Sequence, residues 1–202
     1  MRAKDGFRGG SARGHHHHCE GIIFQYARKE KFLKSYATEG SYISDLMEHM
    51  ALSRPEVAFQ FMMNGQVRFH TSGNGDIREI LYRIYGREII KELIPFSAQA
   101  EGLQIEGFLG SPSVVRSNRN FEFFFVNGRY VKSSMISKSL EDAYRDFSMQ
   151  HKFPFAVLHF HIKGDEIDIN VHPTKMELRF QKQQEVYNTV LKAYIGRSWS
   201  RN

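Results

Sequence analysis

Cysteine is almost missing: Cys19 stands alone in 202 residues, so no internal disulfide can form and nothing asks for an oxidising compartment. No apolar run approaches the roughly 20 residues that cross a bilayer, and the N-terminus lacks the apolar stretch of a secretory leader. The expected location is therefore the cytoplasm, with no membrane partner. Glycine-rich phosphate loops are absent, and so is any cluster of His, Cys, Asp and Glu at metal-ligand spacing. That argues against an independent nuclease or kinase-type enzyme, which would need one or the other. Surplus charge is also scarce where it would mean most. The chain carries +6, but residues 1–35 hold eight Lys or Arg against three acids, leaving 20 basic and 19 acidic residues beyond. Bulk basicity thus says little about residues 36–202, and any nucleic-acid argument has to rest on local clusters.

What remains is an ordinary globular mix, 41% hydrophobic and 25% charged, in a chain long enough to hide roughly two-thirds of its unfolded surface. Residues 1–20 are rich in Gly, Arg and His and show no periodicity. From Ser41, apolar Ile43, Leu46, Met47, Met50 and Ala51 fall on one helical face, and Pro55 closes the segment. Val57 to Met63 reads as a strand, Asn64-Gly65 as a type I′ hairpin turn, and Val67 to Thr71 as the return strand. Asp76 is placed to cap a second helix with Ile77, Ile80, Leu81 and Ile84 inward and Gly86 at its end.

Leu103 to Leu109 and Phe121 to Val126 follow as strands, the second so aromatic that both faces should be covered. Asn127-Gly128 repeats the hairpin signal. A third helix is capped by Ser133 or Ser134, with Ile136, Leu140, Ala143 and Phe147 inward and the pairs Lys138/Asp142 and Glu141/Arg145 outside. Strands at Phe155 to Ile162 and Glu166 to Val171 precede a last helix over about Gln184 to Tyr194. The expected class is α+β, a mixed and mostly antiparallel sheet packed with helices. One local basic cluster survives, with Arg116, Arg119, Arg129, Lys132, Lys138 and Arg145 against Glu122, Glu141 and Asp142.

Two segments are more specific. Phe125-Val126-Asn127-Gly128-Arg129-Tyr130-Val131-Lys132 resembles the "FVNGR" hairpin of the MutL/Mlh/Pms mismatch-repair family. The stretch from Asp168 through Asn170-Val171-His172-Pro173-Thr174-Lys175 to Phe180 is similar to that family's "DVNVHPxKxEVRF" signature, departing only by Ile169 and Leu178 where the family has Val. Similarity extends from about Lys31-Phe32-Leu33-Lys34-Ser35 through Leu52-Ser53-Arg54-Pro55 and so covers most of the chain.

The resemblance implies a ribosomal protein S5 domain 2-like fold: the transducer module that follows the GHKL ATPase domain of such proteins. The ATPase motifs that bind adenine and magnesium, and the C-terminal dimerisation and endonuclease regions, are not found in these residues. ATP and Mg are accordingly expected as cofactors only of an intact protein, and the stretch itself is not expected to hydrolyse ATP. Implied partners are single- or double-stranded DNA, the ATPase domain of the same protein and, in the family context, MutS, with a homodimer expected only for the intact protein. The family would be bacterial and nucleoid-associated when active.

In this family the lysine at the place of Lys175 reaches the ATP γ-phosphate of the neighbouring domain, where an ammonium stabilises phosphate charge. His172, Pro173 and Thr174 would form the loop that aims it. The plain alternative is a solvated lysine after a strand. Arg129 and Lys132, joined by Lys138 and Arg145, are candidates to line a positive groove for DNA phosphates. The competing reading is a solvated charged face, because Lys138 and Arg145 already have helical partners; the whole would then be a structural interaction domain with no DNA-binding role of its own. His159 and His161 share a strand face, but nothing completes a zinc site and structural roles are expected. Asp168 is expected to fix its loop rather than act as a catalytic partner of Glu177, and Phe121 to Phe125 to form core rather than stack on bases.

Residues 14–28 carry a run of four histidines. Read one base forward, the codons permit G-T-T-I-I-V-K-E-L-F-F-N-T-P-A, which resembles the family stretch leading into a "KFLKS" that resumes here at Lys31. Residues 1 to about 28 are therefore expected to be an out-of-frame translation. The resulting expected organisation is a disordered or out-of-frame tail over 1–30, a remnant of the ATPase connection over 31–40, the transducer domain over 41–195 and a tail over 196–202.

Overall fold

Both Asn-Gly pairs turn the chain as their chemistry requires. Asn64 and Gly65 adopt φ of 53° and 73°, and Asn127 and Gly128 adopt 47° and 77°, the positive values that a type I′ turn needs at both central residues. The computed structural model describes residues 36–146, 152–163, 167–168, 179–180 and 183–195. Two units are distinguished, Met1–Glu39 and Gly40–Asn202, and the account below is of the second.

The elements run α1 (Tyr36–Ser53), β1 (Gln60–Met63), β2 (Gln66–His70), α2 (Ile77–Lys91), β3 (Leu93–Ala100), β4 (Leu103–Gly110), β5 (Glu122–Val126), β6 (Arg129–Val131), α3 (Ser134–Tyr144), β7 (Ala156–Ile162), β8 (Ile167–Asp168), β9 (Arg179–Phe180) and α4 (Gln183–Ile195). The class is α+β. Five strands form one sheet in the order β3-β4-β7-β5-β6, while β1-β2 and β8-β9 pair separately. Every pairing is antiparallel except β5 with β7, which run parallel. A parallel neighbour demands a crossover, and α3 lies within the connection from β6 to β7.

Strand alternation sends side chains to two cores. On one face, Phe124, Val126, Val131, Leu158 and Phe160 meet Ile136, Leu140 and Tyr144 of α3 and Val186 and Val190 of α4. On the other, Phe123, Phe125 and Val157 meet Ala51 and Leu52 of α1, Ile80 and Leu81 of α2, and Phe61 and Phe69 of the small hairpin. All five residues of β5 are buried, as an aromatic strand covered on both sides must be.

The caps follow the sequence. Asp76 accepts from the N–H of Arg78, and Ser133 accepts from that of Ile136. Three details differ from the sequence reading. Helix α2 does not stop at Gly86; it breaks there, at φ 79° and ψ 178°, and resumes as far as Lys91. Strand β3 is not among the predicted strands; its Pro95 is accommodated at the sheet edge, where a missing N–H is tolerated. In α1, Met47 and Ala51 pack inward as expected, but Ile43, Leu46 and Met50 are exposed.

Candidate nucleic-acid interface

Strand β6 is the last strand in the order of the five-stranded sheet, opposite β5 in the register Phe124↔Val131, Phe125↔Tyr130 and Val126↔Arg129. The turn joining them is tied down by Asn127. Its backbone N–H donates to the carbonyl of Phe160 at 2.9 Å. Its side-chain Nδ2 donates to the carbonyl of Ile162 at 3.2 Å, and the N–H of Ile162 donates back to Oδ1 at 3.0 Å. The hairpin is thereby stapled to the end of β7 and presents its cations from a fixed base.

Arg129 and Lys132 are both exposed, and among the described residues neither makes an ion pair. They do not face the same way. Val131 packs against α3, so its strand neighbours of like parity, Arg129 included, belong to the α3 side; Tyr130 packs on the α1 side. Lys132 continues the Tyr130 side, where its charge acts on His49 of α1. That imidazole stacks on Tyr130, with ring centroids 3.8 Å apart and planes at 19°, and meets Phe123 edge-on at 5.5 Å. Burial first, with Lys132 adding to it, holds the His49 pKa below its ordinary value, against the pull of Asp45.

Lys138 and Arg145 are placed differently. Both pair with Asp142, Lys138 at 2.8 Å, and the Tyr187 hydroxyl of α4 donates to the same carboxylate at 2.6 Å. Burial of Asp142 opposes its charge, yet these hydrogen bonds and the two cations hold the carboxyl below its usual range. Glu141 does not pair with Arg145, as the helical spacing suggested; it takes Arg119 instead, at 2.5 Å. Arg119 also lies 5.2 Å over Phe153, and Arg116 lies 4.9 Å over Phe121. Of the six cations clustered in sequence, four are thus engaged with acids or rings.

Residues 81–196, more than half of the chain, match the family described as "DNA mismatch repair protein, C-terminal domain". The chain belongs to that family. It is 49% identical over 166 residues to the DNA mismatch repair protein MutL of Agathobacter rectalis, covering 82% of this chain and 26% of that protein. It is 38% identical over 187 residues to MutL of Heliobacterium modesticaldum, covering 90% and 28%. The chain therefore spans little more than a quarter of these mismatch-repair relatives. Among solved structures it resembles the N-terminal domain of a DNA repair protein, with a TM-score of 0.67, 18% identity, and coverage of 84% of this chain and 56% of that one. It also resembles the ATPase domain of the mismatch repair endonuclease MutL of Aquifex aeolicus, with a TM-score of 0.57, 19% identity, and coverage of 86% and 59%. At such identity these two likenesses speak for the fold alone: the ribosomal protein S5 domain 2-like arrangement of the MutL and GHKL-type structures.

Within this mismatch-repair fold, Lys175 and its companions His172, Pro173 and Thr174 lie outside the described residues, as do Phe147 and Glu177. Both ends of the signature segment are in view: Ile167 pairs with Phe180 and Asp168 with Arg179, antiparallel. His159 is a core residue, stacked on Phe125 at 4.7 Å and 22°, while His161 meets Glu106 at 3.0 Å on the surface. Among the described residues no three His, Cys, Asp or Glu converge as metal ligands. The sequence reading gave no role to Glu122, which is 5% exposed. It accepts from Ser137 at 2.5 Å, and among the described residues its Oε1 has no partner.

Proposed function

We propose that this chain is the transducer part of a MutL protein, binding DNA without sequence preference through the β5–β6 hairpin and coupling that contact to ATP in an adjoining GHKL ATPase domain. The observation that carries the reading is the contrast among the cations. Arg129 and Lys132 stay exposed and without an ion pair among the described residues, whereas Lys138 and Arg145 share the carboxylate of Asp142. Cations free of protein acids can release the counterions of a phosphate backbone, and such contacts position a protein without reading bases. Arg129 and Lys132 leave the hairpin on opposite sides, so they would meet different phosphates.

In this reading Lys175 is carried by the ladder-bracketed segment into the site of the neighbouring domain. There its ammonium would stabilise γ-phosphate charge. Nucleotide and Mg would be held by that domain, and the present residues alone would not turn over ATP. MutS and a second MutL protomer are partners of the intact assembly.

The test is binding of the 202-residue chain to a short labelled duplex of mixed sequence over a series of salt concentrations. Arg129→Ala and Lys132→Ala should each flatten the plot of log K against log salt by about 0.9. Slopes equal to the wild type in both variants would sink the DNA assignment. One observation favours a second reading, a protein-interaction module: Tyr42, Ile43, Leu46 and Met50 expose an apolar face on α1. Binding insensitive to salt and to Arg129→Ala would support it.

A further inference from the structure

Arg54 lies in the segment Leu52-Ser53-Arg54-Pro55, just after α1, and the functional reading above gives it no role. Its backbone is fixed on both sides. The N–H donates to the carbonyl of Met50 at 3.2 Å, and the carbonyl accepts from the N–H of Val57 at 3.0 Å, closing a turn with Pro55 at its second position. The Pro55 carbonyl accepts from Gly75 at 3.0 Å, which ties that turn to the loop before α2. From this anchor the side chain reaches across to the other hairpin. Its guanidinium atoms lie 3.3 to 3.4 Å from the point where a Cβ on Gly128 would stand. Gly128 thus serves twice: it supplies a φ of +77° for the turn, and it lets the guanidinium settle against the backbone.

The charge of Arg54 is only loosely matched. Glu56 stands 3.7 Å away, beyond hydrogen-bond distance, and both side chains are exposed. Among the described residues no hydrogen bond takes up its side-chain donors. A planar guanidinium of this kind is suited to grip two phosphate oxygens at once. It flanks the Asn127-Gly128 turn, and Lys132 lies beyond Tyr130 on the face that turns toward α1.

We propose that Arg54 is a phosphate-binding residue of the hairpin interface, aimed by its turn and by the bare backbone of Gly128, with Glu56 as the acid that a phosphate displaces. The inference rests on the hairpin being a DNA contact. It adds a residue far away in sequence, on a different element.

The experiment is the same salt series on the whole chain, with fluorescence anisotropy of a labelled duplex as readout and thermal unfolding measured in parallel. Arg54→Ala should lower the slope by about 0.9, and weaken binding about eightfold near 0.1 M salt with little change towards 1 M. Arg54→Lys should keep the slope, because one phosphate is still neutralised, while binding less tightly than arginine. Arg54→Gln keeps length and polarity and carries the test if the alanine variant folds poorly. Wild-type slopes in both Arg54→Ala and Arg54→Gln, with flattened slopes in Arg129→Ala and Lys132→Ala, would overturn the role of Arg54 and leave the hairpin reading standing. Wild-type slopes in all these variants would remove both. A fall in unfolding temperature with an unchanged slope would make Arg54 a structural clamp and also overturn the proposal.

Discussion

Two buried titratable groups should oppose each other in the pH dependence of folding. Glu122, whose Oε1 has no partner among the described residues, is pushed by burial from its ordinary 4.5 up to about 7, in spite of the Ser137 hydrogen bond. A raised carboxyl favours the protonated fold, so stability is lost as pH climbs from 4.5 towards 7. His159, stacked under Phe125, is held by burial, and by the charge of His161, from 6.5 down to about 4. A lowered imidazole favours the neutral fold, so stability is lost as pH falls below 6.5. At about 1.4 kcal/mol per pH unit of displacement, each group changes stability by roughly 2 kcal/mol between pH 5 and pH 7, with opposite signs. Together they nearly cancel.

Single variants should uncover the hidden slopes. Urea unfolding of the chain at pH 5, 6 and 7 measures the stability of each variant relative to wild type, so every other titrating group drops out of the comparison. Glu122→Gln keeps an acceptor for Ser137 and mimics the protonated acid. Its stability relative to wild type should rise by about 2 kcal/mol from pH 5 to pH 7, or about 4–8 °C in unfolding temperature. His159→Leu should show the reverse trend with the same size, and the double variant should regain a flat difference. A Glu122→Gln difference that stays constant across the three pH values refutes the reasoning, since that is what a carboxylate ionised throughout the range would give.

Asp142→Ala should cost about 1–2 kcal/mol by removing the Tyr187 tie between α3 and α4, measurable by denaturant titration. Freed of their acid, Lys138 and Arg145 should then steepen the salt dependence of DNA binding. Gly107→Ala should cost more than about 4 kcal/mol, because its Cβ would stand 1.9 Å from the carbonyl oxygen of Val157 on the neighbouring strand, at a φ of +147°; circular dichroism reads the loss directly. Translation of the coding DNA upstream in all three frames should reveal GHKL ATPase motifs in the frame one base forward, and stop codons there would end the out-of-frame account of residues 1–28.

Features that depend on near neighbours were legible in the sequence. Asn-Gly announced both turns because few other pairs accept two positive φ values, and Ser133 announced the start of α3 because its hydroxyl meets an N–H three residues on. What depended on distant partners was not legible. Helical spacing offered Arg145 to Glu141, but Arg119 arrives from another segment and takes it. The apolar pattern of α1 suggested a single inward face. Only the packed sheet shows that Met47 and Ala51 use it while Ile43, Leu46 and Met50 do not. Arg54 gained a role only through Gly128, a contact that no local pattern encodes. Arg129 and Lys132 were picked out by motif, and their opposed directions come from the parity of one short strand.

The two hydrogen bonds between Asn127 and Ile162 act as a mechanical linkage as well as a fastening. Because β5 and β7 run parallel, the turn at the tip of one and the exit of the other lie at the same end of the sheet. A load that tilted the hairpin alone would have to break these two bonds and the one from the Asn127 N–H to Phe160 as well. The hairpin and the end of β7 are therefore yoked to each other, beside the buried run from Phe123 to Val126.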